Sequence, residues 1–144
     1  MSAKLLDALK TTLIEAPTVN TANLNGSIWT VEAESRVPLP CLYFFEEEPK
    51  HELAFGARTD WSVVRFAIVV EVKSNPDDAK ALASAIETGL FAYIKANKQF
   101  ACDGYDRGVM WCLSRGTSKV ETFQQQQLVI HDPAYMLTGT QFDS

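Results

Sequence analysis

Residues 61–72 constrain the fold more than any other stretch of the sequence. The even-numbered residues from 64 onwards are all apolar, namely Val64, Phe66, Ile68, Val70 and Val72. The odd-numbered residues are mixed in character and include Trp61, Arg65 and Glu71. Since successive side chains of a strand point to opposite faces, the pattern predicts a strand with one face in the core and the other partly covered. Such a strand is typical of an antiparallel sheet that is backed by helices.

A helix is predicted directly after this strand. Asn75 is a candidate N-cap, Pro76 suits the first helical position, and Asp77 and Asp78 place carboxylates at the positive end of the helix dipole. Apolar residues then recur at helical spacing as far as Asn97, namely Ala79, Leu82, Ala83, Ile86, Leu90, Tyr93 and Ile94. A shorter amphipathic helix is predicted for residues 2–15, because its leucines form one stripe ahead of Pro17.

The remaining apolar segments predict short strands. Residues 27–31 and 41–45 have the aromatic and β-branched content of strands. Residues 109–113 and 121–131, separated by a turn at 116–118, predict a C-terminal β-hairpin. Pro133 ends the last strand, and residues 134–144 are expected to be a loosely attached, flexible tail.

These elements predict a single α+β domain that spans residues 1–144. Its expected architecture is a small mixed or antiparallel β-sheet, with an N-terminal helix and one long central helix packed on it, and a C-terminal β-hairpin. With 47% hydrophobic and 22% charged residues, the chain has the composition of a globular protein and not of a disordered one.

Composition also excludes several function classes. A net charge of −5 argues against a dedicated nucleic-acid binder, which normally carries a basic face. No apolar run approaches the roughly 20 residues of a membrane span, and the N-terminus lacks the pattern of a signal peptide. Three cysteines are too few and too scattered for a disulfide framework, so we expect a reduced, cytoplasmic site of synthesis.

No catalytic, cofactor-binding or metal-binding constellation is recognisable. The sequence lacks the glycine-rich phosphate-binding motifs, the nucleophile elbow and the CxxC pair. His51 and Glu52 begin like a zinc-protease motif, but Phe55 stands where the second histidine ligand belongs. Asp103 and Asp106 have the spacing of turn residues and not that of a calcium loop. We therefore expect a protein that is not an enzyme and holds no cofactor.

A charged segment follows the aromatic strand. Glu46, Glu47 and Glu48 precede Pro49, and adjacent residues of an extended chain diverge, so these carboxylates do not converge on one ion. A solvated turn is the expected state of such a run. Residues 46–60 are predicted to form a long loop that contacts a neighbouring subunit or a partner protein, with His51 and Phe55 as further contact residues.

Four consecutive glutamines interrupt the last predicted strand. Gln124, Gln125, Gln126 and Gln127 put amides on both faces of the strand, which a core strand does not do. One interpretation is an edge strand that projects beyond the sheet into solvent. The other is a hairpin arm that touches a partner subunit or lines a polar channel.

Three local motifs carry a resemblance to a known family. They are Gly26-Ser27-Ile28-Trp29 ahead of Pro38-Leu39-Pro40-Cys41-Leu42-Tyr43, the strand at 63–72, and Asp77-Asp78-Ala79-Lys80-Ala81-Leu82-Ala83. Together they resemble the tail terminator, or tail completion, proteins of long-tailed bacteriophages and prophages. The resemblance covers about residues 3–95.

The resemblance implies a role in virion assembly. Such proteins form a ring, commonly a hexamer, on the last layer of tail-tube subunits at the head-proximal end of the tail. The ring stops tube polymerisation and joins the tail to the head connector, while DNA passes through the lumen without specific binding. The implied partners are thus further copies of the chain, the tail-tube protein and the connector, with no membrane, and assembly takes place in the cytoplasm of the host bacterium.

Two alternatives remain open at the level of the sequence. The first is a small cytosolic α+β enzyme or ligand-binding domain with a pocket between the sheet and the helix at 76–97, which would use Arg65, Glu71, His51, Asp103 and Asp106. The second is another phage morphogenesis protein of similar fold, such as a connector stopper or a tail-tube subunit.

Overall fold

The computed structural model describes residue 8 and residues 28–30, 39–48, 50–54, 56–96, 98–100 and 107–142. Within these ranges the chain forms one nine-stranded sheet and one long helix, Pro76–Ala96. The strands are β1 (Ile28–Thr30), β2 (Cys41–Glu46), β3 (Lys50–Ala54), β4 (Ala57–Glu71), β5 (Gln99–Phe100), β6 (Arg107–Ser114), β7 (Ser118–Phe123), β8 (Gln126–His131) and β9 (Ala134–Phe142). Ala8 is helical, and the rest of the predicted helix at 2–15 lies outside the described residues.

Strands β2, β3 and β4 form one long antiparallel hairpin, which we call the first hairpin (residues 41–71). β2 pairs with the second half of β4 from Cys41 opposite Val69 onwards, and β3 pairs with its first half. The pairing shifts by one residue between β2 and β3, as at a β-bulge. At the tip, where Ala54 lies opposite Ala57, Gly56 has a φ of 73°, in the left-handed region that glycine adopts without strain.

Strands β6 to β9 form a second long hairpin (residues 107–142). β6 pairs with β9, and β7 pairs with β8. One side of the hairpin therefore consists of β6 and β7, and the other consists of β8 and β9. The two-residue tip consists of Gln124 and Gln125, with φ of 50° and 67°. Positive φ at both central residues is the signature of a type I′ turn, whose twist matches that of the flanking strands.

The two hairpins join along β4. β9 pairs with β4 from Ala57 opposite Phe142 to Arg65 opposite Ala134, and β8 continues from Ile68 opposite His131. No residue is inserted between these two stretches, so β8 and β9 act as one strand interrupted by Pro133. The tip of the first hairpin and the tip at 124–125 therefore lie at opposite ends of the sheet.

The long helix begins and packs as its sequence predicts. The backbone amide of Asp77 donates to Asn75 Oδ1 at 2.9 Å, which is an N-cap contact. The helix packs on β4, β6, β7 and β8. Its buried side chains are Ala79, Ala83, Ile86, Glu87, Leu90 and Ile94.

The core lies between this helix and one face of the sheet. The apolar parity of β4 supplies Val64, Phe66, Ile68 and Val70, as the sequence indicates. Phe66 packs edge-on against Tyr135 of β9 with ring centroids 5.4 Å apart, and Phe44 of β2 lies 5.7 Å away on the other side. In broad terms the prediction of an α+β fold is confirmed, although strands dominate the described residues.

The prediction of a loop over residues 46–60 is wrong. β3 and the first residues of β4 occupy most of this segment and extend the first hairpin to its tip. The charged run at Glu46 to Glu48 and the following proline suggested a loop because they break the apolar pattern. The strands continue nonetheless, because β3 lies at an edge of the sheet, where the charged side chains of Lys50 and Glu52 remain in solvent.

The prediction of a flexible tail at 134–144 is also wrong for the residues described there. β9 lies between β4 and β6 and buries Tyr135 and Leu137 completely. Pro133 lacks only the amide, and its carbonyl still accepts the amide of Phe66 at 2.9 Å. A proline at this point removes one hydrogen-bond donor from the ladder without ending the strand.

The C-terminal hairpin is present, but its turn was predicted in the wrong place. The turn lies at Gln124 and Gln125 and not at 116–118, and the predicted strand at 121–131 is in fact the end of β7, the turn and β8. Glutamine has no particular preference for turns, so the composition gave no signal there.

Candidate functional site

The outer part of the second hairpin, β7 with β8 and their turn (residues 118–131), extends past the core, and we call it the arm. Along β7, Ser118 is half-buried and the next five residues are exposed. At the other side, β8 passes from exposed glutamines to buried Val129 and His131. The arm therefore has a buried base next to the helix and an exposed end.

An ion pair between a buried carboxylate and a half-exposed guanidinium fixes the base of the arm to the long helix. The carboxylate of Glu87, with 5% of its side chain exposed, accepts two hydrogen bonds from the Arg115 guanidinium, at Nε and at Nη2 (2.7 Å). The guanidinium also stacks 3.9 Å from the centroid of the Phe91 ring. These hydrogen bonds raise the pKa of Arg115. The bidentate contact orients the loop between β6 and β7 more strictly than a single contact would.

His131 connects the two strands of the arm at the same place. Its Nε2 lies 2.8 Å from the backbone carbonyl of Arg115 and its Nδ1 lies 2.8 Å from Ser118 Oγ. A carbonyl oxygen only accepts, so in the neutral ring Nε2 carries the proton and Nδ1 accepts from the Ser118 hydroxyl. His131 is thus a satisfied structural histidine in this contact and not a free base.

Gly116 allows the second hairpin to turn at the base of the arm. Its φ is 78°, and a Cβ added to it would lie 2.5 Å from the backbone carbon of Asp132. The neighbouring amide of Thr117 donates to Asp132 Oδ1 at 2.9 Å. This close backbone approach requires glycine.

The four glutamines cover the end of the arm. Gln124 and Gln125 form the turn, Gln126 and Gln127 begin β8, and all four side chains are exposed. The backbone carbonyl of Gln127 accepts the amide of Val72 at 3.0 Å, which is the last contact between the arm and β4. Both earlier interpretations, a projecting strand and an arm that meets a partner, agree with this position.

The acidic contact residues predicted in the first hairpin lie apart from these glutamines. Glu46 is half-buried and its Oε2 accepts the Ser62 hydroxyl at 3.0 Å, while burial raises its pKa. Glu47 pairs with Arg65 across the strands, and Glu48 is exposed. His51 is exposed on β3, and Phe55 lies outside the described residues.

The predicted contact residues therefore form two separate surfaces. His51 lies toward the tip of the first hairpin, whereas the glutamines lie at the opposite end of the sheet. A surface that uses both sets would have to span two copies of the chain.

Among the residues proposed for an enzyme, those that the structure describes do not converge. Arg65 and Glu71 are six residues apart on β4, which corresponds to about 20 Å along a strand. His51 is paired opposite Asp60 on the other face of the sheet, and Asp103 and Asp106 lie outside the described residues. Of this set only Glu71 lines the cleft of about 290 Å³ at the start of the helix, beside Lys73 and Asp78.

Neither a metal-binding cluster nor a membrane-spanning helix occurs in the part of the chain that the structure describes. Its histidine, cysteine and carboxylate side chains form no cluster of three or more that suits a metal ion. None of its helices is long and apolar enough to span a membrane.

The face of the sheet away from the helix carries an aromatic surface. Trp61, Trp111 and Met136 line a shallow depression of about 300 Å³ on three neighbouring strands. Trp111 is 43% exposed and Leu113, two residues along β6, is 49% exposed. The aromatic surface is bordered by polar side chains that also line this depression, namely Glu52, Thr59 and Thr138.

Sequence reasoning missed the ion pair at the base of the arm. Glu87 falls four residues after Ala83, within the stripe that also contains Ile86 and Leu90, so its place on the buried face follows from helical period alone. An acidic residue at such a position indicates a buried cationic partner. Nothing in the sequence pointed to Arg115 as that partner, because the contact depends on how the two strands turn.

Comparison with known proteins gives a similarity of fold. No family model and no curated protein matches the sequence. Among solved structures, the fold is similar to that of a chain in the structure described as "Virion of native gene transfer agent (GTA) particle", with a TM-score of 0.56 and 13% sequence identity. The alignment covers 96% of this chain and 99% of that chain. At this identity the similarity shows a shared fold.

Proposed function

We propose that the chain is a structural protein of a phage-like virion, and within that class a tail terminator. In this role it caps the tail tube as a hexameric ring, stops tube polymerisation and joins the tail to the head connector. The observation that carries the proposal is the fold similarity to a chain of a gene transfer agent virion, because it spans 96% of this chain and 99% of the other.

Two further observations support the proposal. The motifs that resemble tail terminators include β2, most of β4 and the start of the long helix, which together form the centre of the described fold. The described strands β3 and β7 each pair on one edge only, so both offer backbone groups to a further strand.

The charge suits a ring through which DNA passes. A net charge of −5 and an arm that ends in glutamines offer few cationic groups to the phosphates. A polar or acidic wall does not hold the polyanion, so DNA would move through the lumen without specific binding. The chain would reside at the head-proximal end of the tail.

Assembly with the tail-tube protein tests the proposal directly. The purified chain is mixed with tube protein, and its mass is measured by size-exclusion chromatography with light scattering, followed by electron microscopy. We expect rings, alone or at one end of each tube, and tubes that stop growing once capped. A strict monomer in the presence of tube protein, with no ring in the micrographs, would overturn the proposal.

Deletion of the gene separates the proposed role from the neighbouring ones. Loss of a terminator should give tails of irregular and excessive length. Loss of a tube subunit would abolish tails, and loss of a connector stopper would leave normal tails detached from heads. Virions of normal form and number would exclude all three and favour the ligand-binding alternative, for which the cleft beside Glu71 is the place to probe.

A further inference from the structure

Four described strands have one edge without a partner strand, namely β1, β3, β5 and β7. β1 and β5 are only three and two residues long, whereas β3 and β7 offer longer edges on opposite sides of the sheet. β3 pairs only with β4, and β7 pairs only with β8. Their free edges face away from each other across the sheet and lie toward its opposite ends. A contact between one edge and the other would be head-to-tail, and repeated contacts of this kind generate rings or filaments.

Backbone geometry fixes which residues of each edge are available. Residues next to a two-residue turn form a hydrogen-bonded pair, and such pairs alternate with non-hydrogen-bonded ones along the strands. Counting from the tip of the first hairpin, the outward backbone groups of β3 belong to His51 and Leu53. Counting from Gln124 and Gln125, those of β7 belong to Ser118, Val120 and Thr122.

Charge fixes the register between these edges. On the helix-free face, β3 carries Lys50 and Glu52 and β7 carries Lys119 and Glu121, all four exposed. They make no ion pair within the described residues. An antiparallel register that sets Lys119 opposite Glu52 also sets Glu121 opposite Lys50, so both cross-strand pairs have opposite charge.

The backbone pattern agrees with this register. It places Val120 opposite His51 and Ser118 opposite Leu53, and all four have outward backbone groups, so these are the hydrogen-bonded pairs. The charged pairs then occupy the non-hydrogen-bonded positions, where opposing side chains approach more closely. This register thus forms the backbone hydrogen bonds and also sets side chains of opposite charge against each other.

Exposed apolar side chains on the helix side of the sheet also fit this register. Leu53 is 72% exposed and Val120 is 40% exposed, both unusually high for such residues on a strand. Leu53 shares its face with Arg58 and Val120 shares its face with Val129, which is the helix side of the sheet. In the stated register these two side chains are diagonal neighbours and cover one another.

We propose that β7 of one copy of this chain pairs antiparallel with β3 of a second copy, with Lys119 opposite Glu52 and Glu121 opposite Lys50. This inference rests on the proposed ring, for which it supplies the contact between subunits. The sheets of adjacent copies become continuous, with their helices on the same side. The arm then serves as the part of each subunit that reaches its neighbour.

Charge exchange with a constant net charge tests the pairing. Three variants are compared with the unaltered chain in a dilution series followed by light scattering: K119E/E121K, K50E/E52K and the variant with all four substitutions. Each double variant sets like charges opposite each other in both pairs. We expect it to raise the dissociation constant about tenfold or more. The fourfold variant restores both pairs and should associate like the unaltered chain.

The same series distinguishes the competing outcomes. If two β7 strands pair with each other instead, position 119 meets position 121 in either charge arrangement, so K119E/E121K would associate normally and the proposal falls. Equal association of all variants, or no recovery in the fourfold variant, also overturns the pairing but leaves the ring intact. An unaltered chain that never associates, even with tube protein, overturns the ring and the pairing together.

Amide hydrogen exchange supplies a measurement that does not depend on substitutions. The amides of His51, Leu53, Ser118 and Val120 should exchange rapidly in the monomer and become protected on association. The amides of Lys50 and Glu52, which face β4, are protected in both states and serve as the internal control. Protection that is unchanged at all four outward amides in a chain that has associated would contradict the pairing.

Discussion

The two hairpins of this protein share a plan but differ in how they are stabilised. Both consist of a long antiparallel ribbon with a bulge or turn partway along and a two-residue tip. The first hairpin turns at a glycine with positive φ, and its cross-strand ion pair, Arg65 with Glu47, lies half in solvent. The second turns at Gln124 and Gln125, and its base is held by Arg115, which is as exposed as Arg65 but binds the buried carboxylate of Glu87.

The two hairpins thus differ in the conformational strain of their turns and in the contacts that hold them. The first hairpin follows the turn chemistry that favours stability. The second places two glutamines in a conformation that such residues rarely adopt and anchors the result with buried polar contacts. Strain of this kind persists only where the surrounding structure fixes it, and it is common at functional sites. The following four predictions test this difference between the hairpins, from the largest expected effect to the smallest.

Removal of the contact to the buried Glu87 carboxylate should have the largest effect. R115A removes both hydrogen bonds to this carboxylate, and because the Arg115 side chain is half exposed, we expect the free energy of unfolding to fall by about 2–3 kcal/mol. R65A is the matched control in the first hairpin, where both partners are half-exposed, and it should lower the free energy of unfolding by about 0.5 kcal/mol or less. Urea unfolding of both variants provides the measurement. Equal losses would contradict the contrast between the hairpins.

Substitution of the glycine at the base of the arm comes next. G116A forces a Cβ to within 2.5 Å of the Asp132 backbone and keeps a positive φ, so we expect a loss of about 2 kcal/mol or more. T117A is the control, because its backbone amide keeps the contact to Asp132 and its φ is not positive. The midpoint of urea unfolding reports both. A G116A variant as stable as T117A would show that the turn relaxes easily.

Replacement of the glutamine turn should stabilise the protein. Q124N/Q125G supplies the pair of residues that a type I′ turn favours, and we expect the free energy of unfolding to rise by about 1–2 kcal/mol. Q126N/Q127G introduces the same residues into β8 and should lower it. If the turn substitution also weakens association of the chain, the glutamines act in the contact between subunits as well as in the turn.

The smallest expected effect concerns pH. Burial raises the pKa of Glu46 above its ordinary value of 4.5, so folding strengthens proton binding there. Stability therefore falls as pH rises from 4.5 through the pKa of the folded state, and the penalty persists at neutral pH. E46Q keeps an acceptor for Ser62 without the charge. It should raise the free energy of unfolding at pH 7 by less than about 1 kcal/mol and remove this pH dependence, as urea unfolding at several pH values will show. E48Q, at an exposed position, is the control.

The sequence predicted those parts of the fold whose signals are local. The cap at Asn75 and the apolar parity of β4 follow from residues that are close together in the chain. β9 also carried a usable signal, because residues 134–137 form a short apolar run that is typical of a buried strand. Pro133 nonetheless indicated the end of the sheet, so the sequence predicted a tail there.

Other features depend on contacts that no local pattern encodes. The pairing of β8 and β9 with β4 joins distant segments, and the turn at Gln124 and Gln125 follows from the register of the strands around it. The predicted contact residues stay a prediction, and their division between opposite ends of the sheet became visible only with the topology. The residues now proposed to form the contact, among them Lys119 and Glu121, had no distinguishing pattern in sequence.

The central position of β9 affects how the protein is made. β4 and β6 flank a strand that is translated after both, and the helix and most of the second hairpin separate it from β4 in the chain. At about 5–20 residues per second, a nascent chain exposes one edge of β4 to the cytosol for several seconds before β9 emerges to cover it. During translation, that unpaired edge is the segment of this protein that most needs protection from aggregation, by chaperones or by rapid pairing within the first hairpin.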